Sequence, residues 1–358
     1  MKKEKKKILI LGSAQFGYST TTYKYCEYAR HDFDITYVGW DYKLPKIELS
    51  LVKVKYVSRK GNLLKRNFKL LKAFYKEISL GYNLVLTTYV RGISLVKLLN
   101  PGAKVLMYVD TFGVMPNASK RYVYDLMLKF ETSFFKNVAV INSGLGKLLN
   151  RNKYEILPLG GAVFNTNHKS FDSLKLLYVG TFDNRNMIDC VKGFHKFLEK
   201  IGYKNDSIKF EIIGDGPNNE LEELKAYVES YKLSPYISIL GYIPQKDLKP
   251  YFENANIGVS YVPILPYYEY QTPTKTFEYL ISGLPVIATA TFENKKIIRP
   301  WSGVIVKDTP NSFCEGIIKL QEKKKEFCSE RIIKAYSNNT WENAVKNHFI
   351  PLVRKLAN

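Results

Sequence analysis

Short apolar runs alternate along the first half of the chain with stretches of helical periodicity, the rhythm of a doubly wound α/β domain. Residues 8–11, 34–39, 51–56, 83–88, 104–110, 138–142 and 154–158 read as strands, with a first helix over 20–30. The runs at 83–88 and 104–110 are nearly continuous in apolar residues, as expected of parallel strands buried on both faces. Periodicity lapses over 161–174 (GAVFNTNHKSFDSL), which predicts an interdomain linker. It then resumes, with strands at 174–179, 208–213, 237–240 and 257–261 and helices at 188–201, 220–231 and 246–253. The pattern predicts an α/β protein of two Rossmann-like domains facing each other across a cleft, because such domains bind ligands at the carboxyl ends of their strands.

The stretch TPTKTFEYLISGLPVIAT (272–289) is the most informative in the chain. Thr272 reads as an N-cap and Pro273 as the first helical residue, where a missing N–H costs nothing. A helix over 274–281 then stops at Ser282 and Gly283, and Pro285 leads into an apolar strand. Its open first turn offers backbone N–H groups to a phosphate, with Lys275 in that turn and the carboxylate of Glu278 one turn further in. Such donors beside a group able to accept from ribose hydroxyls suggest a nucleotide site. An ordinary capped helix with a solvated lysine and glutamate fits the same residues, so the surrounding loops decide. Gly180, Gly214, Gly216 and Gly241 each follow a predicted strand. Glycine admits close approach of a ligand and also serves tight turns. Four such positions together with the Pro-Thr-Lys opening form a coherent phosphate and base pocket.

Composition narrows the chemistry. At 358 residues the chain suits two domains rather than one. Cys26, Cys190, Cys314 and Cys328 are scattered without CxxC spacing, which points to a reducing compartment and away from zinc or disulfides. No two of His31, His168, His195 and His348 have metal-ligand spacing, which disfavours a metal hydrolase. The basic run at 2–7 is followed by too few apolar residues for a signal peptide, and no segment approaches the ~20 needed to span a bilayer. A cytoplasmic protein, or one attached to a membrane face, is expected. The first βα turn, GSAQFGYS (Gly12–Ser19), nearly spells a P-loop, but Tyr18 stands where the phosphate-binding lysine should be.

The loops of the second half, taken in order, resemble the GT-B glycosyltransferases and, within them, glycosyltransferase family 4 (glycosyl transferases group 1). YVG (178–180), IIGDGP (212–217), LGYIPQKDLKPYF (240–252) and KTFEYLISGLPVIAT (275–289) look like that family's carboxyl-terminal domain. VINSGLGKLL (140–149), ILPLGG (156–161) and SNNTWENAVKNHF (337–349) are similar to parts of its amino-terminal domain, its crossover and its closing helices. The resemblance implies an acceptor-side domain over 1–165, a nucleotide-sugar-binding domain over 170–335, and helices returning to the first domain over 336–358. It implies retaining transfer of a hexose-like sugar from a nucleotide sugar to a glycan or lipid-linked acceptor, as in surface polysaccharide or glycoconjugate synthesis. It implies no metal and no tightly bound cofactor.

By position, Glu278 would bind the donor ribose, and the backbone of Thr274 to Thr276 the diphosphate. Tyr242 and Ile243 would pack on the base, Gly12 to Gly17 would approach sugar and acceptor, and Asp110 lies where the family often carries a cleft-facing His or Asp. A carboxylate capping a turn fits Asp110 equally. The chain departs from the family at Tyr270, which replaces a glutamate that contacts the donor sugar, with Glu269 beside it. It departs again at Thr181 and Asn186, where an Arg and a Lys often hold the diphosphate. Arg185 and Lys275 are the cations that can replace them, stabilising leaving-group charge. Two alternatives stay open: a nucleotide-sugar epimerase, which keeps the fold and changes the chemistry, and, because of the substitutions at Tyr270, Thr181 and Asn186, a non-catalytic membrane- or glycan-binding protein.

Charge adds a partner. Of the net +21, residues 1–170 hold 29 Lys+Arg against 11 Asp+Glu, a difference of +18, and residues 171–358 hold 25 against 22, or +3. Residues 62–78 form a basic amphipathic pattern, with Leu64, Phe68, Leu71 and Ile78 at helical spacing. Its lysines suit an anionic membrane surface, and its apolar stripe suits packing on the sheet. No nucleic-acid-reading motif accompanies it, so nucleic acid is not expected as a partner. A peripheral position on the inner face of the membrane is the expected localisation.

Overall fold

The computed structural model describes residues 4–203 and 207–358, so Lys2 and Lys3 of the basic run lie outside the described residues. It divides into two compact units, Met1–Leu159 with Trp341–Asn358, and Gly160–Thr340.

In the first unit, strands β1 (Lys7–Leu11), β2 (Asp34–Asp41), β3 (Val52–Ser58), β4 (Leu84–Thr88), β5 (Val105–Val109), β6 (Asn137–Val140) and β7 (Glu155–Ile156) form one sheet in the order β3-β2-β1-β4-β5-β6-β7. Every pairing is parallel. Chain order reverses between β1 and β4, which opens a crevice beyond their carboxyl ends. Helices α1 (Thr20–Ala29), α2 (Leu63–Ile78), α3 (Ile93–Leu98), α4 (Ala118–Thr132) and α5 (Ser143–Leu148) connect the strands. Central strands β1 and β5 are buried along almost their whole length, whereas edge strand β3 alternates and turns Lys53 and Lys55 outward. Charged outward positions protect an edge against further strand pairing.

The structure corrects the reading of α2. Leu70, Phe74 and Ile78 face the core, while Leu64 and Phe68 are 81% and 66% exposed. Apolar residues flank this helix on two sides, and only the set that reaches the sheet is buried. The apolar pattern predicts neither α3 nor α4. The predicted strand at 154–158 shortens to the two residues of β7.

The second unit repeats the plan with β8 (Leu174–Val179), β9 (Ile208–Ile213), β10 (Ile237–Gly241), β11 (Ile257–Ser260), β12 (Val286–Thr289) and β13 (Gly303–Val306), in the order β10-β9-β8-β11-β12-β13. All pairings are again parallel, with the reversal between β8 and β11. Its helices are α6 (Met187–Ile201), α7 (Glu220–Ser230), α8 (Lys249–Asn254), α9 (Thr274–Ile281), α10 (Phe292–Ile297), α11 (Pro310–Glu322) and α12 (Ser329–Tyr336). The helix expected over 246–253 is two pieces, a 3-10 turn at Gln245–Asp247 and then α8. Pro250 has no N–H to continue a helix from the earlier turn, so it sits in the first turn of α8 instead.

The aperiodic stretch over 161–174 is packed against this unit. Phe164 stacks on Phe252 at 4.3 Å between ring centroids, and buried Asn165 donates to the Ser282 carbonyl at 3.2 Å. The last helices, α13 (Trp341–Ala344) and α14 (Ile350–Ala357), belong to the first unit. The Phe349 ring stacks on Tyr25 of α1 at 4.2 Å, and Arg354 pairs with Asp32 at 2.6 Å.

Candidate functional site

The site is built at the carboxyl ends of β8 and β11, on the first turn of α9. That helix has the predicted bounds, but Pro273, in an extended conformation, is its N-cap, and Thr272 lies one residue outside. The Thr272 hydroxyl donates to the buried carboxylate of Glu293 at 3.1 Å, which holds the loop against α10. Pro273 makes no side-chain cap hydrogen bond. Thr276 N–H already donates to the Pro273 carbonyl at 3.1 Å, and its hydroxyl is shared with Ser260 at 2.7 Å and Asn294 at 3.1 Å in the core. The N–H groups of Thr274 and Lys275 head the helix, where no intrahelical acceptor exists.

Lys275 supplies the decisive geometry. Its chain is part-buried while its ammonium is enclosed, lies 3.9 Å from the centre of the Tyr178 ring, and has no hydrogen-bond partner among the described residues. Burial, and then the nearby Arg185 charge, push its pKa down to about 7, against smaller opposing effects of Glu278 and Cys190. An ammonium enclosed without an acceptor is costly, and an arriving anion removes that cost. Arg185 lies beside it, its guanidinium 4.5 Å from the centre of the Tyr268 ring and donating to the Tyr268 hydroxyl. Asn184 and Asn186, on either side, adopt left-handed backbone conformations, and Asn186 is the N-cap of α6. Thr181, at the other departure from the family pattern, accepts from Asp183 N–H at 3.1 Å and donates to the Asp215 carbonyl at 3.4 Å.

Two glycines owe their identity to this packing. A Cβ on Gly180, with φ of +154°, would stand 2.5 Å from the Lys275 ammonium. One on Gly214, with φ of +153°, would stand 1.9 Å from the Gly180 carbonyl oxygen. The space that glycine leaves at both positions is thus occupied by the protein's own atoms, and the loops after β8 and β9 interlock. Gly216 is pressed in the same way by the Glu220 carboxylate. Glu278 is part-buried against the Gly161–Ala162 turn, where Ala162 N–H donates to its carboxylate at 3.5 Å. Tyr242 is 74% exposed at the end of β10, while Ile243 packs into the apolar cluster of Leu248 and Phe252. Tyr270 lies against the Phe292 ring at 5.1 Å. Its neighbour Glu269 accepts from Phe292 N–H at 2.5 Å at the head of α10, so that carboxylate is held by a helix end.

In the first unit, Gly12 and Asp110 line one cavity of about 190 Å³ at the reversal point, together with Thr88 and Tyr124. Desolvation raises the Asp110 pKa, against hydrogen bonds from the backbone at Asp110 and Thr111. Gly17 does not line this cavity: its backbone, with φ of +89°, is packed against Ile47. Among the described residues, no group of three or more His, Cys, Asp or Glu side chains is arranged to hold a metal ion.

The family model for glycosyl transferases group 1 matches residues 173–323. Those residues form a group 1 glycosyltransferase domain in a GT-B fold. No curated protein matches the chain by sequence. Among solved structures, sucrose-phosphate synthase from Thermosynechococcus elongatus aligns at 17% identity over 98% of this chain and 99% of that one, with a TM-score of 0.76. HepE of Anabaena, in complex with UDP and glucose, aligns at 10% identity over 98% and 100%, with a TM-score of 0.71. A glycosyltransferase from Rickettsia africae aligns at 15% identity over 99% of each chain, with a TM-score of 0.70.

Within the group 1 domain, sequence reasoning singles out Lys275, Arg185 and Glu278 but misses the rings that hold the two cations. Tyr178 ends an apolar strand and reads as core, and Tyr268 is hidden in the aromatic run YYEY. A tyrosine at a strand's carboxyl end, ahead of a glycine, was the available signal.

Proposed function

We propose that this glycosyltransferase takes its sugar from a nucleoside-diphosphate donor held on the first turn of α9. The acceptor is a glycan or a lipid-linked hydroxyl, in surface polysaccharide or glycoconjugate synthesis at the cytoplasmic membrane face. The observation that carries the reading is the enclosed ammonium of Lys275, without a hydrogen-bond partner among the described residues, beside Arg185 and at the head of α9. In this reading the diphosphate accepts from Thr274 and Lys275 N–H and from the Lys275 ammonium. Arg185 adds charge, Glu278 accepts from the ribose hydroxyls, and the exposed Tyr242 ring lies along the base.

In the transfer step, the bond between the anomeric carbon and the diphosphate oxygen breaks, and its electron pair leaves with the nucleoside diphosphate. The acceptor oxygen bonds to the anomeric carbon, and its proton passes to a departing phosphate oxygen. Retention of configuration is taken from the family resemblance. Preorganised cations and helix N–H groups lower the barrier by stabilising the charge that gathers on the leaving group. Lys275 and Arg185 are assigned that task without a metal. Asp110, which lines a cavity with Gly12, is assigned to the acceptor side.

Titration calorimetry with UDP-, GDP- and ADP-sugars tests this, and UDP-sugars are the first choice because HepE is solved with UDP. Binding by one nucleotide series is the expected result. No heat with any of them at millimolar concentration would sink the proposal. Donor turned over to a new sugar nucleotide without any acceptor would identify an epimerase instead.

A further inference from the structure

Helices α2, α3 and α4 lie side by side in the first unit, α2 against α3 and α3 against α4. The Asn67 amide donates to the Arg91 carbonyl at 2.9 Å, and Glu131 of α4 accepts from Gly92 and Ser94 N–H at the head of α3. Their outward faces carry large apolar side chains. On α4, Tyr122, Leu126 and Phe130 follow one another at a spacing of four, and are 69%, 54% and 63% exposed. The opposite face of α4, with Leu128 and Thr132, is the buried one. Leu95 and Leu99 stand out from the end of α3, and Leu64 and Phe68 from α2.

Exposed cations lie among these residues, Lys65 and Lys69 on α2, Lys129 beside Phe130 on α4, and Lys120 in the first turn of α4. The acids of the three helices are engaged elsewhere. Glu77 pairs with Lys55 at 2.8 Å, Asp125 accepts from Gly113 N–H at 2.7 Å, and Glu131 is buried. A soluble helix buries its apolar side and exposes its polar one, so α4 is inverted. Contiguous exposed apolar surface of this kind marks an interaction site.

We infer that the α2–α3–α4 face docks on an anionic phospholipid bilayer, with the apolar rings and leucines entering the interface and these lysines meeting lipid phosphates. Charge complementarity selects this occupant: a basic amphipathic surface gains both from apolar burial and from the field of anionic headgroups. Lysines among exposed apolar residues suit it further, because their long stems lie along the apolar region while the ammonium stays at the headgroups. The inference deepens the membrane-face part of the proposed function and is independent of the donor site. A chain that binds vesicles but no sugar nucleotide keeps the one and loses the other.

The test is co-sedimentation of the full chain with vesicles of phosphatidylcholine alone and of phosphatidylcholine mixed with phosphatidylglycerol. Strong partition onto the anionic vesicles, weak partition onto the neutral ones and release by salt are expected. The pairs Leu126→Ser with Phe130→Ser, and Leu64→Ser with Phe68→Ser, should each weaken partition by about tenfold or more. UDP-sugar binding and melting temperature should stay unchanged, since these side chains are exposed. Failure to partition onto anionic vesicles overturns the inference. So does loss of partition on lysine reversal with none on apolar substitution, because the apolar face would then play no part. A dimer in sedimentation velocity that the same serine pairs dissolve, with lipid binding intact, would assign the face to a second copy.

Discussion

Two helix heads in this molecule treat negative charge in opposite ways. At α3 the protein supplies the anion itself. The buried carboxylate of Glu131 accepts from Gly92 N–H at 2.9 Å, from the N–H and hydroxyl of Ser94 at 3.1 Å, and from the Tyr89 hydroxyl at 3.2 Å. At α9 the N-cap residue is Pro273, which makes no side-chain cap hydrogen bond, and a cation rather than an anion is enclosed beside the helix head. Free N–H groups at a helix start attract an acceptor in either case. A head closed from within is architecture, and a head left open beside an unpaired ammonium is a place for a ligand.

Removing each charge separates the two. Glu131→Ala strands several buried donors at once and should destabilise the first unit by about 3 kcal/mol or more. Chemical denaturation reads this directly, and UDP-sugar affinity should be unchanged where the protein is folded. A negligible loss of stability would mean that water replaces the carboxylate at α3. Lys275→Met should do the reverse, weakening UDP-sugar binding roughly a hundredfold while leaving stability equal or raised, since an unpaired buried charge is removed. If that variant unfolds more easily and still binds donor, Lys275 is a structural residue and the contrast collapses. Glu278→Gln is expected to cost about tenfold in UDP affinity, the value of a hydrogen bond to a charged group. An equal loss for a deoxyribose analogue would remove Glu278 from the ribose.

What could be read beforehand follows the same division. The apolar strands and the bounds of α9 were legible because parallel strands buried on both faces leave unbroken hydrophobic runs, and Ser282-Gly283-Leu284-Pro285 ends a helix unmistakably. Helix α4 was not legible, because its exposed Tyr122, Leu126 and Phe130 obey the spacing of a core stripe that points the wrong way. The orientation of α2 was legible only in part: Ile78 is buried and Leu71 half-buried, but with apolar residues on two flanks periodicity alone cannot tell that Leu64 and Phe68 turn outward. At the site, Lys275 was visible as a charge in a first turn. Its enclosure by Tyr178 and the interlocking of Gly180 with Gly214 come from three loops far apart in sequence, which no local pattern encodes.

The smallest expected effect tests the open head most sharply. With its pKa near 7 in the free protein, the Lys275 amine is largely neutral above that pH, held down first by burial and second by Arg185. A bound diphosphate favours the charged form, so binding above pH 7 must take up a proton. Donor affinity should therefore fall as pH rises above about 7, by at most about tenfold per unit, and level off below it. Calorimetry at pH 8 in buffers of different ionisation enthalpy measures the proton directly. Stability shows the opposite sign. Between about 7 and the ordinary lysine value the unfolded chain holds the extra proton, so the fold gains stability as pH rises through that window. Lys275→Met should abolish both slopes. Binding without proton uptake at pH 8 would mean that the ammonium does not meet the phosphate, and the first turn of α9 would then have to hold its ligand by N–H groups and Arg185 alone.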